Sequence, residues 1–216
     1  MAIAVSLAGC GGGGSTSVTA GAGGTTAETT AAAKRVVLRT VDLPGYQANP
    51  PAAVDSSATK AASSFQLCAG AAAALGDAGS AAASPGFYKD GTTMVASIAI
   101  VSPDEAAAAK AMVDLSRQDV ATCLSTLFKD VLALDQFPGA TTTTERLPAS
   151  AVSDESVTWR TTIGATSPQG AIVIYSDLTL FRSGRTVAAL LNVQGGTAFP
   201  SAERHRLLKS MIERMD

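Results

Sequence analysis

The stretch MVASIAIV, residues 94–101, decides the fold. Both of its alternating sets of side chains are largely apolar, a pattern that is typical of a strand covered on both faces. Asp90-Gly91, shortly before it, is a turn signal. We therefore expect a layered α/β fold, an α+β sandwich in which helices pack against a largely antiparallel sheet.

A helix is predicted directly after this strand. Ser102 can cap it, Pro103 suits its first position, and Glu105 lies where a capping box requires an acid. We expect this helix to continue to about Leu127. Apolar periodicity places one set of its side chains on the inward face: Met112, Val113, Ser116, Val120, Cys123, Leu124 and Leu127.

Further strands are predicted before and after this strand and helix, and a final helix is predicted near the C-terminus. Residues 35–41 favour a strand, and residues 141–147 favour a strand near the edge of the sheet. Residues 157–163 alternate apolar and polar side chains, as a half-buried strand does. Pro200 begins the final helix, whose buried stripe is predicted to be Leu207, Leu208, Met211, Ile212 and Met215.

Residues 171–193 predict a β-hairpin about the turn Ser183-Gly184. A two-residue loop fixes the register and pairs Leu180 with Val187. One face of the hairpin is apolar, and we expect it to meet the core. The other face mixes polar and apolar side chains, and we expect it to be lightly covered or part of a cleft: Tyr175, Asp177, Thr179, Phe181, Thr186, Ala188, Leu190 and Asn192.

The N-terminal sequence LAGC, residues 7–10, resembles the lipobox of bacterial lipoproteins. The resemblance implies cleavage before Cys10 and a diacylglycerol on its thiol, which would hold the protein to the outer leaflet of the cell membrane. The alternative is an incidental cysteine in a disordered apolar terminus. We expect the true start to lie upstream of residue 1, and we expect this organisation: signal remnant 1–9, lipidated cysteine and flexible linker 10–34, and extracellular α/β sensor-like domain 35–216.

Two cysteines remain once Cys10 is assigned to lipid. In an exported protein Cys68 and Cys123 are expected to form one disulfide, stabilising the fold by about 4 kcal/mol in the loop-entropy model. The alternative is a pair of buried thiols. Metal binding is disfavoured because such a site needs three or four ligands and the single histidine, His205, is distant in sequence.

Composition and motifs disfavour several classes of function. A net charge of -2 and a pI near 5.4 argue against a nucleic-acid partner. The chain has no Gly-x-Ser-x-Gly segment and no Cys-x-x-Cys pair, and we expect neither a cofactor nor an enzyme. A cell-wall hydrolase would need paired carboxylates, for which Asp154, Glu155 and Asp177 are candidates, although turn capping or a solvated face explains them more simply.

Aromatic and basic residues of the predicted sheet could form a binding surface. The candidates are Trp159, Tyr175 and Tyr46, with Arg160 and Arg182 as polar partners. Trp159 is also in phase with the buried set of its strand, and Arg182 lies beside a turn where solvated charge is normal. We expect a domain that binds an envelope small molecule, glycolipid or protein, with a lipid or glycolipid carrier, which needs a large apolar cavity, as the alternative.

The order of these elements resembles actinobacterial surface lipoproteins similar to the extracellular sensor domains of mycobacterial serine/threonine kinases. The resemblance is carried by residues 98–127 with Cys123 near the helix end, by residues 178–187, and by the closing helix. It implies a compact α/β sandwich with a groove that senses or binds an envelope ligand. The chain offers one cysteine pair where those domains have more.

Mass spectrometry of the native protein tests the cysteine assignments. We expect a diacylglycerol mass on Cys10, and no alkylation of Cys68 or Cys123 under denaturing, non-reducing conditions. Reduction before alkylation should label both and serves as the control. An unmodified Cys10 thiol would remove the membrane assignment, and labelling of both other cysteines without reduction would remove the disulfide.

Overall fold

A computed structural model describes residues 26–49, 80–131, 139–148, 153, 155–167 and 170–215. Within these ranges an eight-stranded antiparallel sheet has the order β1-β3-β4-β8-β7-β6-β5, and β2 also pairs with β4. Its strands are β1 Gln47–Asn49, β2 Ser80–Ala83, β3 Gly86–Lys89, β4 Thr93–Val101, β5 Thr141–Leu147, β6 Ser156–Ser167, β7 Gly170–Ser183 and β8 Thr186–Gly195. The helices are α1 Thr26–Val36, α2 Glu105–Leu115, α3 Asp119–Val131 and α4 Ser201–Ile212, with a 3-10 helix at Thr40–Asp42. The predicted α/β class is confirmed.

Strand β4 lies inside the sheet, as its apolar sequence predicts. It pairs with β8 along its whole length, from Thr93 opposite Gln194 to Val101 opposite Thr186. Its odd-numbered side chains Val95, Ala99 and Val101 are buried. On the other face Ile98 is 42% exposed. The expectation of cover on both faces is therefore wrong for the second face within the described part of the chain.

The β7–β8 hairpin has the predicted faces but a different register. Its central turn residues are Gly184 and Arg185, since Ser183 pairs with Thr186 and Leu180 with Ala189. Gly184 has φ +52°, which suits the first central position of a type II′ turn. The predicted pair of Leu180 with Val187 is wrong. Each β7 residue pairs with a β8 residue two positions later than predicted, so every side chain stays on its predicted face of the sheet.

The first core lies between one face of the sheet and the N- and C-terminal helices. Helix α4 buries Leu207, Leu208 and Met211 there, as predicted, against Phe181 and Leu190 of the hairpin.

Helix α1 corrects two expectations, since residues 26–34 are not a flexible linker and residues 35–41 are not a strand. Its Thr29, Ala33 and Val36 are buried at i, i+4 and i+7. Packing of that face against the sheet outweighs the weak helical propensity of an Ala/Thr run.

The second core lies on the opposite face, under two helices in place of the single one predicted. Helix α2 ends at Leu115 and α3 begins at Asp119. Asp104, and not Ser102, caps α2 by accepting a hydrogen bond from the Ala107 N–H at 2.7 Å. Ser102 is unsuited to the cap because its own N–H donates to the Arg185 carbonyl, which extends the sheet. Val113, predicted to point inward, is 67% exposed.

Asp42 fastens the 3-10 helix to α4. Its carboxylate accepts hydrogen bonds from the Arg39 N–H, the Ser210 hydroxyl and the Arg214 guanidinium, at 2.8 to 3.1 Å. Burial by itself would raise the pKa of Asp42, but the bonds from Arg214 and Arg39 and the Arg214 charge outweigh burial and hold the pKa below its usual value.

Replacing Asp42 with Asn should lower the free energy of unfolding by about 2 kcal/mol at pH 7, because charge-assisted hydrogen bonds are lost. A depressed folded pKa means that the stabilisation is present above the unfolded pKa of about 3.9 and is lost as the pH falls through the folded pKa. In urea unfolding, the difference in stability between the wild type and the variant should therefore be largest at pH 7 and should shrink as the pH is lowered towards 2. Asp119→Asn, at an exposed pair with Arg117, is the control and should change stability by under about 0.5 kcal/mol. Equal losses in both variants would contradict this role for Asp42.

Candidate binding groove

An apolar groove opens between the second face of the sheet and the two central helices. Its volume is about 350 Å³. Helix α2 contributes Leu115, helix α3 contributes Leu124, Leu127 and Phe128, and the strands contribute chiefly Ile98, Ile100, Leu178, Leu180, Val187 and Leu191. Its lining contains no charged side chain; Ser84 and Ser97 are its polar residues.

Apolar side chains continue along the sheet face beyond the groove. We call the following side chains of β4, β8 and β7 on that face the stripe, which ends before Arg182 of β7, a charged residue on the same face: Met94, Ala96, Ile98, Ile100, Val187, Ala189, Leu191, Val193, Ile172, Ile174, Ser176, Leu178 and Leu180. All except Ser176 are apolar. On β7 the stripe runs over nine residues from Leu180 to Ile172, eight steps that span about 27 Å.

Exposure differs between the two ends of the stripe, and Ser176 between them is buried. Leu180 and Val187 are buried beneath α2 and α3. Farther out, Ile172 is 43% exposed, and Tyr88, which faces the same side because it pairs with Met94, is 45% exposed. Exposed apolar side chains that adjoin a groove are typical of interaction sites.

A row of hydroxyl groups borders the stripe. The Ser125 and Thr144 hydroxyl oxygens lie 2.7 Å apart, and those of Thr144 and Thr161 lie 2.9 Å apart. Thr161 is directly opposite Ser176 in the β6–β7 ladder. The row therefore extends from α3 across β5 and β6 to Ser176, the one hydroxyl-bearing residue of the stripe.

Trp159 lies in the second core. It is 1% exposed, and its indole N–H donates to the Leu115 carbonyl at 3.1 Å. This placement favours the core interpretation of Trp159 over a ligand platform.

Arg160 and Tyr175 are brought together, but on the face opposite the groove. The Arg160 guanidinium lies 5.8 Å from the centre of the Tyr175 ring. It also donates to both carboxylate oxygens of Asp177, at 2.7 and 2.8 Å. Arg204 of α4 donates to the same carboxylate. The hydrogen bond that the Arg160 guanidinium donates to Asp177 is the main reason that the pKa of Arg160 is raised.

This face of the hairpin is closed, which corrects the expectation of a lightly covered surface or cleft. Asp177 is 1% exposed, and Thr179 and Asn192 are fully buried. A polar face can be buried when its charges are paired, and here two arginines pair with Asp177. Arg204, in the first turn of α4, is part of that arrangement.

Arg182 and Tyr46 lie apart from both the groove and each other. Arg182 binds Glu155 and donates to the Gly184 carbonyl at 2.6 Å, which fixes the hairpin end. The Tyr46 hydroxyl donates to Glu203 at 3.2 Å, and burial together with the Glu203 charge raises its pKa to about 12.

The cysteine assignments fall mainly outside the described residues. Cys10 and Cys68 lie there, as does Asp154 of the carboxylate candidates. Cys123 is half-buried on α3, beside the groove residue Leu124. Lipidation and the Cys68–Cys123 disulfide therefore stay predictions.

Other kinds of site find little support in the described ranges. They contain no group of three or more His, Cys, Asp or Glu side chains placed to hold a metal. Asp177 is buried between two arginines, and Glu155 is paired with Arg182. No helix in the described ranges is long and apolar enough to cross a membrane.

Comparison with known proteins gives only distant likenesses in structure. No family model and no curated protein matches the sequence. Among solved structures, the extracellular domain of PknH from Mycobacterium tuberculosis is similar, with a TM-score of 0.37 and 8% identity over 60% of this chain and 61% of that one. The match spans less than two thirds of either chain, and a likeness this distant supports no functional conclusion.

Asp177→Asn should lower the free energy of unfolding by about 3 kcal/mol, because two partly buried arginines lose their partner. It should leave ligand binding in the groove unchanged, since Asp177 lies on the opposite face. Chemical denaturation measures the first effect. Glu155→Gln, which breaks a more exposed pair, is the control, with a loss below about 1 kcal/mol. A stable Asp177→Asn protein would contradict the structural role.

Proposed function

We propose that this chain is a non-catalytic binding domain that holds an elongated apolar ligand, such as an alkyl or acyl chain, in the apolar groove. The supporting observation is the uncharged groove and its continuation as the apolar stripe over about 27 Å. A groove of 350 Å³ lies within the size range of small-molecule sites.

The chemistry of the lining selects the class of ligand. Each buried methylene contributes about 0.8 kcal/mol, so affinity should rise with chain length until the groove is filled. A charged group would lose its hydration there without gaining a partner. Sugars and peptides need several hydrogen-bond partners, which this lining does not offer.

The stripe is long enough for a single chain. One leaflet of a bilayer is roughly 15 Å thick, half of a hydrocarbon core of about 30 Å. An acyl chain that spans a leaflet would therefore fit along the stripe with room remaining.

The proposed setting is the outer face of the cell membrane, with Cys10 carrying the lipid anchor. A tethered domain with an apolar groove suits the carriage or sensing of a lipid-like molecule. Cell-wall hydrolysis is not favoured, because the described candidate carboxylates are paired with arginine.

Ala189→Phe should weaken the binding of a fluorescent alkyl probe at least tenfold, because the added ring fills the groove beside Leu178 and Leu191. The single tryptophan, Trp159, packs in the same core as groove residues, so its emission should change when the probe binds. Titration followed by both signals measures the effect.

Val113→Phe adds a ring at an exposed position of α2 and is the matched control, with unchanged affinity expected. Circular dichroism verifies that both variants fold. Equal affinity of the wild type and Ala189→Phe would contradict binding in the groove, and failure of the wild type to bind any alkyl probe would refute the proposed function.

A further inference from the structure

Basic side chains surround an exposed valine near the C-terminal end of α1. Val41, in the 3-10 helix, is 83% exposed, the largest exposure among the large apolar side chains of the described residues. Exposed basic residues lie on the elements around it. We call Val41 and these residues the basic patch: Lys34, Arg35, Arg39, Val41, Arg206 and Lys209.

Hydrogen bonds bring the members of the basic patch together. The Arg39 guanidinium donates to the Arg35 carbonyl at 3.0 Å, so it lies against the C-terminal end of α1. The Arg206 guanidinium donates to the Asp42 carbonyl at 2.8 Å, which places α4 beside the 3-10 helix. Lys209 follows Arg206 by about one turn of α4. The cations of two helices therefore meet at the 3-10 helix.

Val41 is held in its exposed position by its neighbour Asp42. The Asp42 carboxylate accepts hydrogen bonds from the Arg39 N–H, the Ser210 hydroxyl and the Arg214 guanidinium. These bonds fix the 3-10 helix with the Asp42 side chain turned inward. Val41 is therefore a rigid apolar projection within a ring of positive charge.

The basic patch concentrates positive charge in a chain that is acidic as a whole. Among the described residues, two acidic side chains pair with its cations: Glu203 lies 3.8 Å from Arg206, and Glu213 lies 3.9 Å from Lys209. Exposed ion pairs at such distances are weak. The whole chain has a net charge of -2, so the five cations make this surface opposite in sign to the protein's average.

We propose that the basic patch docks the domain on an anionic membrane surface, with Val41 entering the headgroup region and the cations contacting lipid phosphates. Binding at a membrane interface draws on buried apolar area and on attraction to anionic lipids, and the basic patch supplies both. A fluid interface accepts a single projecting side chain without a matching pocket, which favours a membrane over an acidic protein as the partner.

The predicted lipid anchor can reach this surface. Fifteen residues separate Cys10 from Thr26, the first residue of α1, and a chain of that length spans at most about 50 Å. Helix α1 adds about 16 Å between Thr26 and the basic patch. The patch belongs to the helices on one face of the sheet, and the groove lies on the other face. Docking therefore leaves the groove open, whatever its ligand is.

Cosedimentation with lipid vesicles tests the docking surface without its anchor. The full chain carrying Cys10→Ser is mixed with vesicles of phosphatidylcholine alone, or of phosphatidylcholine and phosphatidylglycerol in equal parts. The protein should bind the anionic vesicles about tenfold more tightly than the neutral ones. Salt at about 0.5 M should abolish that difference, because it screens exposed charges.

Substitutions within the basic patch should weaken binding to the anionic vesicles. Arg35→Gln and Lys209→Gln should each cost about fivefold, since one charge near the membrane surface is lost. Val41→Ser should also cost about fivefold, because less apolar area enters the interface. Lys110→Gln and Val113→Ser are the matched controls, since both residues are exposed on α2, over the other face of the sheet. Both controls should bind like the parent protein.

Circular dichroism verifies that each variant folds, and the vesicle results then decide the proposal. Equal binding to neutral and anionic vesicles, or equal losses in the patch and control variants, would overturn it. Binding of polyglutamate that depends on Arg35 and Lys209, without binding to anionic vesicles, would replace the membrane with an acidic protein as the partner.

Val41→Phe provides a reading that does not depend on loss of binding. Its larger apolar side chain should strengthen binding to the anionic vesicles about threefold or more. Unchanged affinity in both Val41→Phe and Val41→Ser would show that Val41 stays outside the interface and would overturn its role in docking.

Discussion

The pairing of β7 with β8 is the constraint on which the rest of the structure depends. Side chains alternate between the two faces of these strands, so one ladder supplies both cores. On one face Phe181 and Leu190 lie among polar side chains beneath the terminal helices. Burial of that face is possible because Asp177 is paired with Arg160 and Arg204. The other face is apolar except for Ser176 and Arg182, and Arg182 is paired with Glu155 at the end of the hairpin.

The break between α2 and α3 limits how much of this sheet face the two helices cover. Helix α2 stops at Leu115, and α3 begins again at Asp119. The two short helices seal Leu180 and Val187 and leave the stripe beyond them open within the described part of the chain. A sheet face that is apolar over this length and only partly covered has a strong tendency to take up an apolar partner.

The sequence predicts the strands well because period-two alternation and turn residues are local signals. The β4 strand, the edge position of β5 and the hairpin faces follow from them. The register of the hairpin does not follow from them. A turn centred on Ser183-Gly184 and a turn centred on Gly184-Arg185 both place Gly184 at a central position. Helix α1 was missed because its stability comes from tertiary packing of Thr29, Ala33 and Val36. The family resemblance implies a groove, but the residue patterns do not give its position, because an apolar hairpin face indicates burial and the sequence does not tell whether the cover is protein or ligand.

A crystal structure of the protein soaked with a long alkyl compound tests the central claim most directly. The account predicts continuous ligand density in the groove, between helix α3 and the strand residues Leu178, Leu180 and Leu191. Side chains of the protein itself filling the whole groove, with no ligand density, would contradict it.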